Sequence, residues 1–487
     1  MKQLFLLVLL ISTQFSFAQK TSKPDVYAKT ITADDLKRHL YIVASKEMAG
    51  RETGTEGEKK AAAYIENEFK RIGLQPGNNG SYQMPYNVYQ DSLIDAVIEV
   101  NGQTYSLDKD FNLNIGNNSD AIFRFSEVVF IGSGSADSIK NMNIAGKLAI
   151  INGSMNQYAF LQNKGLAGIL SVAADYPRSG TASRKGNMTV NIFKRSVTPQ
   201  QFSISENIAK LILKDEFESN KTNKTLIKIY PARILLHVRK AALPQQTSNV
   251  IGIIEGTDLK DEYLVITAHH DHIGKRGDTI INYGADDDGS GTVSVIEMAE
   301  AFSKAKAAGK GPRRTIVFMT VSGEEKGLWG SDYYTSNPIF PLEKTTANLN
   351  IDMIGRMDPK RTIGDSTNYV YVVGDDKLST DLRTISEATN KKYTKLELDY
   401  KFNDPADPMR IYFRSDHYNF AKHGVPIIFY FNGTHADYHR PTDTPDKINY
   451  PLMAKRAQLV FYTAWDMANR NEMLKRDVPL NVPPRSF

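Results

Sequence analysis

The side chains best suited to chemistry in this chain are imidazoles and carboxylates that recur just after short apolar runs. Run 263–267 is followed by Ala268-His269-His270-Asp271-His272, and run 315–321 leads into Ser322-Gly323-Glu324-Glu325. Run 347–351 ends in Asp352, and the apolar run 425–431 leads to His435, Tyr438 and His439. A glycine-bracketed triplet, Gly284-Ala285-Asp286-Asp287-Asp288-Gly289-Ser290-Gly291, opens a helical stretch. Residues of these types, brought together, hold divalent cations. Two such ions ~3.5–4 Å apart repel, so a paired site needs several carboxylates, one of them bridging. Histidine with carboxylate and no thiolate suits zinc, with cobalt or manganese as substitutes. Two histidines and three carboxylates around two Zn²⁺ leave one positive charge, which a hydroxide cancels. A carboxylate outside the ligand set can take the proton from the attacking water, and the Glu324-Glu325 pair offers one.

Each motif alone has a blander reading. Glu324-Glu325 fits a solvated turn, and the histidine-rich stretch fits a polar loop. The aspartate triplet fails as an EF-hand, because Asp286 and Asp288 before Gly289 would require an acid at Gly284 and a glutamate at Val295. No His-Glu-x-x-His pair, Gly-x-Ser-x-Gly elbow or phosphate loop ending Gly-Lys-Ser/Thr is present. It is the joint occurrence, in order and each after a strand-like run, that points to a metal centre.

The elements needed to position these residues are legible around them. From 248 to 476, strand-like runs (250–254, 263–267, 315–321, 347–351, 369–373, 425–431) alternate with helical stretches, most clearly 292–307. That alternation predicts an α/β fold: a mixed, mostly parallel central sheet with helices on both faces. In such sheets ligands collect at the carboxyl ends of strands, where every motif above falls. Upstream, 31–74 reads as two helices separated at Met48-Ala49-Gly50-Arg51, the second over 57–72 and stopped by Gly73. Between these blocks, 105–242 alternates short β-like runs with Gly/Asn/Ser loops, which predicts a small β-rich inserted domain.

Composition removes other classes. The 487 residues contain no cysteine, which excludes disulfides, thiolate metal sites and a cysteine nucleophile. Sixty Lys+Arg against 55 Asp+Glu, with no basic block, argue against a nucleic-acid partner. Met1-Lys2-Gln3, an apolar run over 4–11 and Ser16-Phe17-Ala18 predict a secretory leader cleaved near Ala18, and hence a secreted or periplasmic protein. No run reaches the ~20 apolar residues of a membrane span, so no stable membrane anchor is expected.

The motifs Ala268-His269-x-Asp271, Gly284 to Gly291, Glu324-Glu325-x-Gly327-x-x-Gly330-Ser331, Asp352-Met353 and Tyr438-His439 resemble metallopeptidase family 28, which contains two-zinc aminopeptidases and the glutamate carboxypeptidase/transferrin-receptor branch. Met48-Ala49-Gly50-Arg51-x-x-Gly54 is similar to the family's N-terminal region. The resemblance implies two Zn²⁺ per chain, one held by His269 and Asp352, the other by Glu325 and His439, with Asp287 bridging. It implies Asp271 as the residue orienting His269, Glu324 as general base, and Tyr438 as stabiliser of the oxyanion. His270, His272, Asp286 and Asp288 are not expected to ligate, although Asp288 is placed to support the bridging loop. Lys164-Gly165-Leu166-Ala167-Gly168-Ile169-Leu170 resembles part of a protease-associated domain. The domain layout is then a leader over 1–18, peptidase segments over 19–104 and 243–487, and a protease-associated-like insert over 105–242.

The function implied is a secreted aminopeptidase that removes N-terminal residues from peptides by metal-activated water, with Glu324 as base. The nearest alternative is a carboxypeptidase or dipeptidase on the same site. Asp404, Asp407 and Asp416 are candidates for holding a free amine, and Arg356, Arg410 and Arg414 for holding a carboxylate. A glutaminyl-cyclase-like enzyme and a non-catalytic receptor-like protein are further alternatives, which the complete ligand set disfavours. Oligomeric state is not encoded in any motif.

Overall fold

The computed structural model describes residues 23–482 apart from 133–134, 162, 175, 177–182, 194–196, 223–226 and 278. The expected leader over 1–18 lies outside the described residues. The chain divides into two compact units, Met1–Met84 with Asn249–Phe487, and Pro85–Ser248.

The strands of the first unit are mostly buried on both faces, so helices must cover the sheet on either side. They are β1 (Lys228–Ile254, of which 249–254 belong to this unit), β2 (Leu259–His269), β3 (Arg314–Val321), β4 (Thr345–Ile351), β5 (Tyr369–Val373), β6 (Glu397–Asp399) and β7 (Ile427–Phe431). Their order is β6-β5-β7-β4-β2-β3-β1. The β6/β5, β7/β4, β4/β2 and β2/β3 pairs are parallel, while β5/β7 and β3/β1 are antiparallel. The helices that cover this sheet include α1 (Ala33–Val43), α2 (Glu56–Ile72), α3 (Gly291–Ala307), α4 (Trp329–Ser336), α5 (His417–Lys422) and α6 (Tyr450–Asn469). Leu264, Ile266 and Ala268 of β2 share one core with α1, α2, α3 and α6, through residues such as Leu40, Phe69, Phe302 and Phe461. Val265 points the other way, into a core with Tyr334 of α4 and Phe420 of α5. The mixed, mostly parallel sheet with helices on both faces is therefore present.

Register sets the site. Along β2/β3, His269 lies opposite Val321, and along β2/β4, Thr267 lies opposite Asn350. The carboxyl ends of three neighbouring strands thus finish at one level, and His269, the 322–325 loop and Asp352 leave the sheet side by side. Thr292 of α3 donates its hydroxyl to the His269 carbonyl at 2.7 Å, fixing the helix start against the strand end.

The second unit contains parallel strands Ala121–Gly132, Leu148–Asn152, Gly168–Ala173 and Gln200–Ser205 in that spatial order, with Phe111–Leu113 antiparallel at the edge. Val128, Phe130, Ile150, Leu170 and Phe202 pack on one face, with Ile208 and Ile212 of helix Glu206–Leu213. Val129, Ile131, Ile151 and Ile169 pack on the other. This unit begins at Pro85 rather than at 105, the start expected from the sequence. The reason is the long strand Gln83–Val100, which pairs with Gln103–Ser106 and Lys185–Thr189 and so brings 85–104 into the second unit. Among the described residues no helix is long and apolar enough to cross a membrane.

Candidate metal centre

The strand ends and their loops bring all five expected ligands together. His269 Nε2 lies 3.3 Å from Asp287 Oδ1 and 3.6 Å from Asp352 Oδ1. On the other side, His439 Nε2 lies 3.1 Å from Asp287 Oδ2 and 3.1 Å from Glu325 Oε2. The two oxygens of Asp287 therefore face two different groups, as a bridging carboxylate must. Glu324 Oε2 stands 3.8 Å from His269 Nε2, at the edge of the first group.

Of the three consecutive aspartates only the middle one faces the centre, because its neighbours are committed to amides. Asp288 accepts from the N–H groups of His269 (3.1 Å), Gly291 (2.9 Å) and Met353 (3.0 Å). That single carboxylate ties together the strand ends that present His269 and Asp352. Position 291 must be glycine for this, since a Cβ there would fall 2.4 Å from Asp288 Oδ1. Asp286 accepts from Gly355 N–H at 2.7 Å and lies 3.1 Å from His435 Nε2. The Asp443 carboxylate accepts from the N–H groups of Asp286 (2.9 Å) and Asp287 (3.2 Å), which orients the bridging loop from beneath.

Asp271 stands beside His269 and also reaches the Glu324 loop. The His269 Nδ1 contact is to the Asp271 carbonyl at 3.0 Å, with the carboxylate at 3.7 Å. The carboxylate instead accepts from Glu324 N–H at 3.1 Å and from the Thr53 hydroxyl at 2.8 Å. It positions the backbone of the expected base as much as the imidazole.

The N-terminal segment backs the whole centre. Arg51 is fully buried. Its guanidinium donates to the carbonyls of His270 (2.7 Å), Val43 (2.9 Å), Tyr283 (2.8 Å) and Gly284 (2.9 Å). It clamps the His269 loop to the Asp287 loop, which no single-nitrogen side chain can do. Arg51→Lys and Arg51→Met are expected to lower unfolding stability by about 3–5 kcal/mol, the cost of breaking a buried charged network, and to weaken metal binding. Urea denaturation with and without zinc would check this, and unchanged midpoints would refute it.

Charge is concentrated where water is scarce. Burial pushes the Glu324 carboxyl well above its usual range, His269 opposes this, and Asp352 and Glu325 add to it. Burial also pushes Asp287 upward, but the ring nitrogens of His269 and His439 outweigh it and hold that carboxylate well below its usual range. His269 is raised well above an ordinary imidazole: burial lowers it, but Glu324 and Asp352 prevail.

These residues fit a metal. His269 Nε2, both ring nitrogens of His272, Asp287 Oδ2 and Glu325 Oε1 are buried without a hydrogen bond, all in one place. Orphans of this kind are rare in folded proteins and call for a ligand. His269, Asp287 and Asp352 converge closely enough to hold one ion, and His272, Asp287 and Glu325 another. The donors are nitrogen and oxygen without sulfur, which suits zinc. His272 stands inside this grouping, contrary to expectation, whereas buried His270 has its nitrogens 3.1 Å from Thr320 Oγ1 and 3.1 Å from Glu58 Oε1.

A cleft opens beside the centre, and its lining includes Asp287, Glu324 and Asp352 together with Met353, Ile411, Phe429 and Phe431. Tyr438 also lines it, stacked on His439 with ring centroids 3.9 Å apart. Its hydroxyl oxygen accepts from Arg414 at 3.0 Å. Asp404, Asp407 and Asp416 do not line this cleft: the first two accept from backbone N–H groups of Ala406 and Ile411, and the third from the Ser331 hydroxyl. Arg356 pairs with Asp437 at 3.0 Å, and Arg410 stacks over Phe413, which leaves Arg414 as the cleft's cation among the described residues. Arg51, Thr53 and Asp443 went unassigned by motif reading. The isolated Met48-Ala49-Gly50-Arg51 stretch was the one available signal for the first.

Comparison with known proteins agrees with this geometry. A "Probable leucine aminopeptidase" of Arthroderma otae is 31% identical over 217 residues, 43% of this chain and 56% of that protein. A "Probable zinc metalloprotease" of Pyricularia oryzae is 27% identical over 272 residues, 47% of this chain and 51% of that protein. The chain thus spans about half the length of these relatives. Among solved structures, an aminopeptidase from Aneurinibacillus sp. strain AM-1 superposes with a TM-score of 0.55 at 18% identity, covering 96% of this chain and 99% of that one. A zinc aminopeptidase from Bacillus subtilis gives 0.54 at 18% identity, covering 92% and 99%. Both are likenesses of fold. Residues 249–464, which hold every residue of the two metal-holding groups, match the sequence model of Peptidase family M28.

Proposed function

We propose that the protein is a secreted two-zinc aminopeptidase that removes N-terminal residues with apolar side chains. The observation that carries this reading is the shared carboxylate: Asp287 presents one oxygen to His269 and the other to His439, while Glu324 stays outside both groups. His269, Asp352 and Asp287 would hold one ion, and Asp287, Glu325 and His439 the second. Zinc, when bound, supplies Lewis acidity for the scissile carbonyl and for the attacking water.

The chain's own groups do the rest. Glu324, with its carboxyl raised by burial, is suited to accept a proton from water and return it to the leaving amine. Its backbone N–H is held by the Asp271 carboxylate. Arg414 donates to the oxygen of Tyr438, which leaves the phenolic proton free to point at a developing oxyanion. Met353, Ile411, Phe429 and Phe431 form the wall against which an apolar side chain is desolvated. Relatives named leucine aminopeptidase support the same preference. Export rests on the leader pattern over 1–18. The second unit is proposed to be protease-associated-like, on the helical turn Met155–Leu161 followed by strand Gly168–Ala173 around the matching stretch.

One observation favours a second reading: Arg414 lines the cleft and offers a cation to a substrate carboxylate. Hydrolysis of a leucine-initiated peptide, its N-acetylated twin and its C-terminal amide separates the two. Acetylation is expected to abolish cleavage and amidation to leave it intact. The reverse pattern would establish a carboxypeptidase.

A further inference from the structure

We infer that Asp437, gripped between Arg356 and Lys447, is the positioning residue that holds the Tyr438-His439 loop against the metal centre; the inference rests on the two-zinc reading above. His439 is the expected ligand with the least support around it. The side chains of His269, Asp287, Glu325 and Asp352 are at most 10% exposed, whereas that of His439 is 37% exposed. His439 also stands at φ +56°, a conformation that a residue other than glycine keeps where its surroundings impose it. Residues 432–444 around it form neither helix nor strand. Their main chain is held by turns, such as Tyr438 N–H to the His435 carbonyl at 3.2 Å and Arg440 N–H to the Asp437 carbonyl at 3.0 Å. A loop of this kind needs a hold from outside itself.

Asp437 supplies that hold, two residues before His439. Its Oδ2 accepts from Arg356 at 3.0 Å and its Oδ1 from Lys447 at 2.7 Å, so each carboxylate oxygen takes a cation of its own. The two cations come from separate elements, the segment after β4 and the turn before α6. Arg356 is itself fixed: its N–H donates to the buried Asn432 side chain at 2.6 Å, and its carbonyl accepts from fully buried Arg456 at 2.6 Å. Its other terminal nitrogen lies 3.8 Å from Asp443 Oδ1, and Asp443 in turn holds the N–H groups of Asp286 and Asp287. One guanidinium thus faces both the loop that carries His439 and the carboxylate that orients the bridging loop. A planar fork can serve two carboxylates in this way, as a single ammonium cannot. The 3.1 Å approach of His439 Nε2 to Asp287 Oδ2 is set from behind by this grip.

The consequence is that the two ion positions depend on Asp437 unequally. Loosening the loop withdraws His439 from one position, while His269 and Asp352 stay where the strand ends put them. Removing the Asp437 charge therefore weakens one equivalent of metal and spares the other.

Titration of the metal-free full-length protein with Co²⁺, wild type against Asp437→Asn, tests this. One equivalent is expected to weaken by about 10–100-fold, as is usual when a group that holds a ligand in place is lost, and the other to stay within about threefold of wild type. Thermal unfolding of the metal-free variant is expected to match wild type, which separates positioning from a general loss of stability. Arg356→Gln is expected to weaken the same equivalent. Asp437→Asn added to Arg356→Gln is expected to have a smaller effect than it has alone, because its partner is already gone. In Asp437→Asn, both equivalents bound as in wild type, or both weakened alike, overturns the proposal, and so do effects that multiply in the double variant. Should Asp437→Asn not fold, Lys447→Gln, at an exposed position, is expected to weaken the same equivalent, and no change there overturns the proposal. Failure of the underlying two-zinc reading would look different, as wild type binding fewer than two ions per chain.

Discussion

Glu324→Gln is expected to keep its zinc and lose about 10²–10⁴-fold in kcat, the contribution of a well-placed proton carrier. The amide matches the carboxyl in size, and the main-chain bond from residue 324 to Asp271 does not involve the side chain. Glu324 belongs to neither of the two metal-holding groups, so both should load normally. What disappears is the group that takes a proton and gives it back. Zinc content by atomic absorption, read beside kcat on a leucine-initiated peptide, checks both halves. A variant with full zinc and kcat within about tenfold of wild type would show that the proton travels by another route.

The second large effect concerns the metal itself. Stripping zinc with a chelator is expected to abolish turnover and to lower stability by about 4 kcal/mol for each ion position, relative to protein held at 1,000 times that position's Kd. The cause is visible in the site: Asp287, Glu324, Glu325 and Asp352 converge in a buried space, and a divalent cation relieves their mutual repulsion. Asp287→Ala is expected to reproduce the loss of activity without chelator, because it removes a donor from both positions at once. Calorimetry of the stripped and reloaded protein measures the first effect. An unchanged melting temperature would mean that the ions contribute nothing to the folded state.

The parts of the centre that were readable from sequence are those in which one residue type does one job at a strand end. His269, Glu325, Asp352 and His439 each follow a run of apolar residues long enough to identify the strand, and the structure pairs Asp352 with His269 and Glu325 with His439 on either side of Asp287. Strand limits were equally plain at Tyr369–Val373, and within one residue at Arg314–Val321, expected over 315–321. Asp286 and Asp288 are indistinguishable from Asp287 by type. What separates them is the set of amides each meets, contributed by segments as distant as Gly355 and Met353. Arg51 lies 233 residues from Gly284, and a guanidinium seeking carbonyls leaves no pattern in sequence, since every residue carries a carbonyl. The strand Gln83–Val100 was missed because polar residues, including Gln90, Asp91 and Asp95, interrupt its alternation. Its pairing with Lys185–Thr189 is decided by tertiary contact rather than local pattern.

The distance between Arg51 and its carbonyls has a temporal side. During synthesis at about 5–20 residues per second, the 233 residues separating Arg51 from Gly284 take roughly 10–50 s to emerge. Throughout that interval α1 and α2 have no sheet to cover, and Leu40, Ile65 and Phe69 stay open to solvent or to a chaperone. The inserted unit can meanwhile collapse on its own pair of cores. His439 is the last donor of the pocket to leave the ribosome.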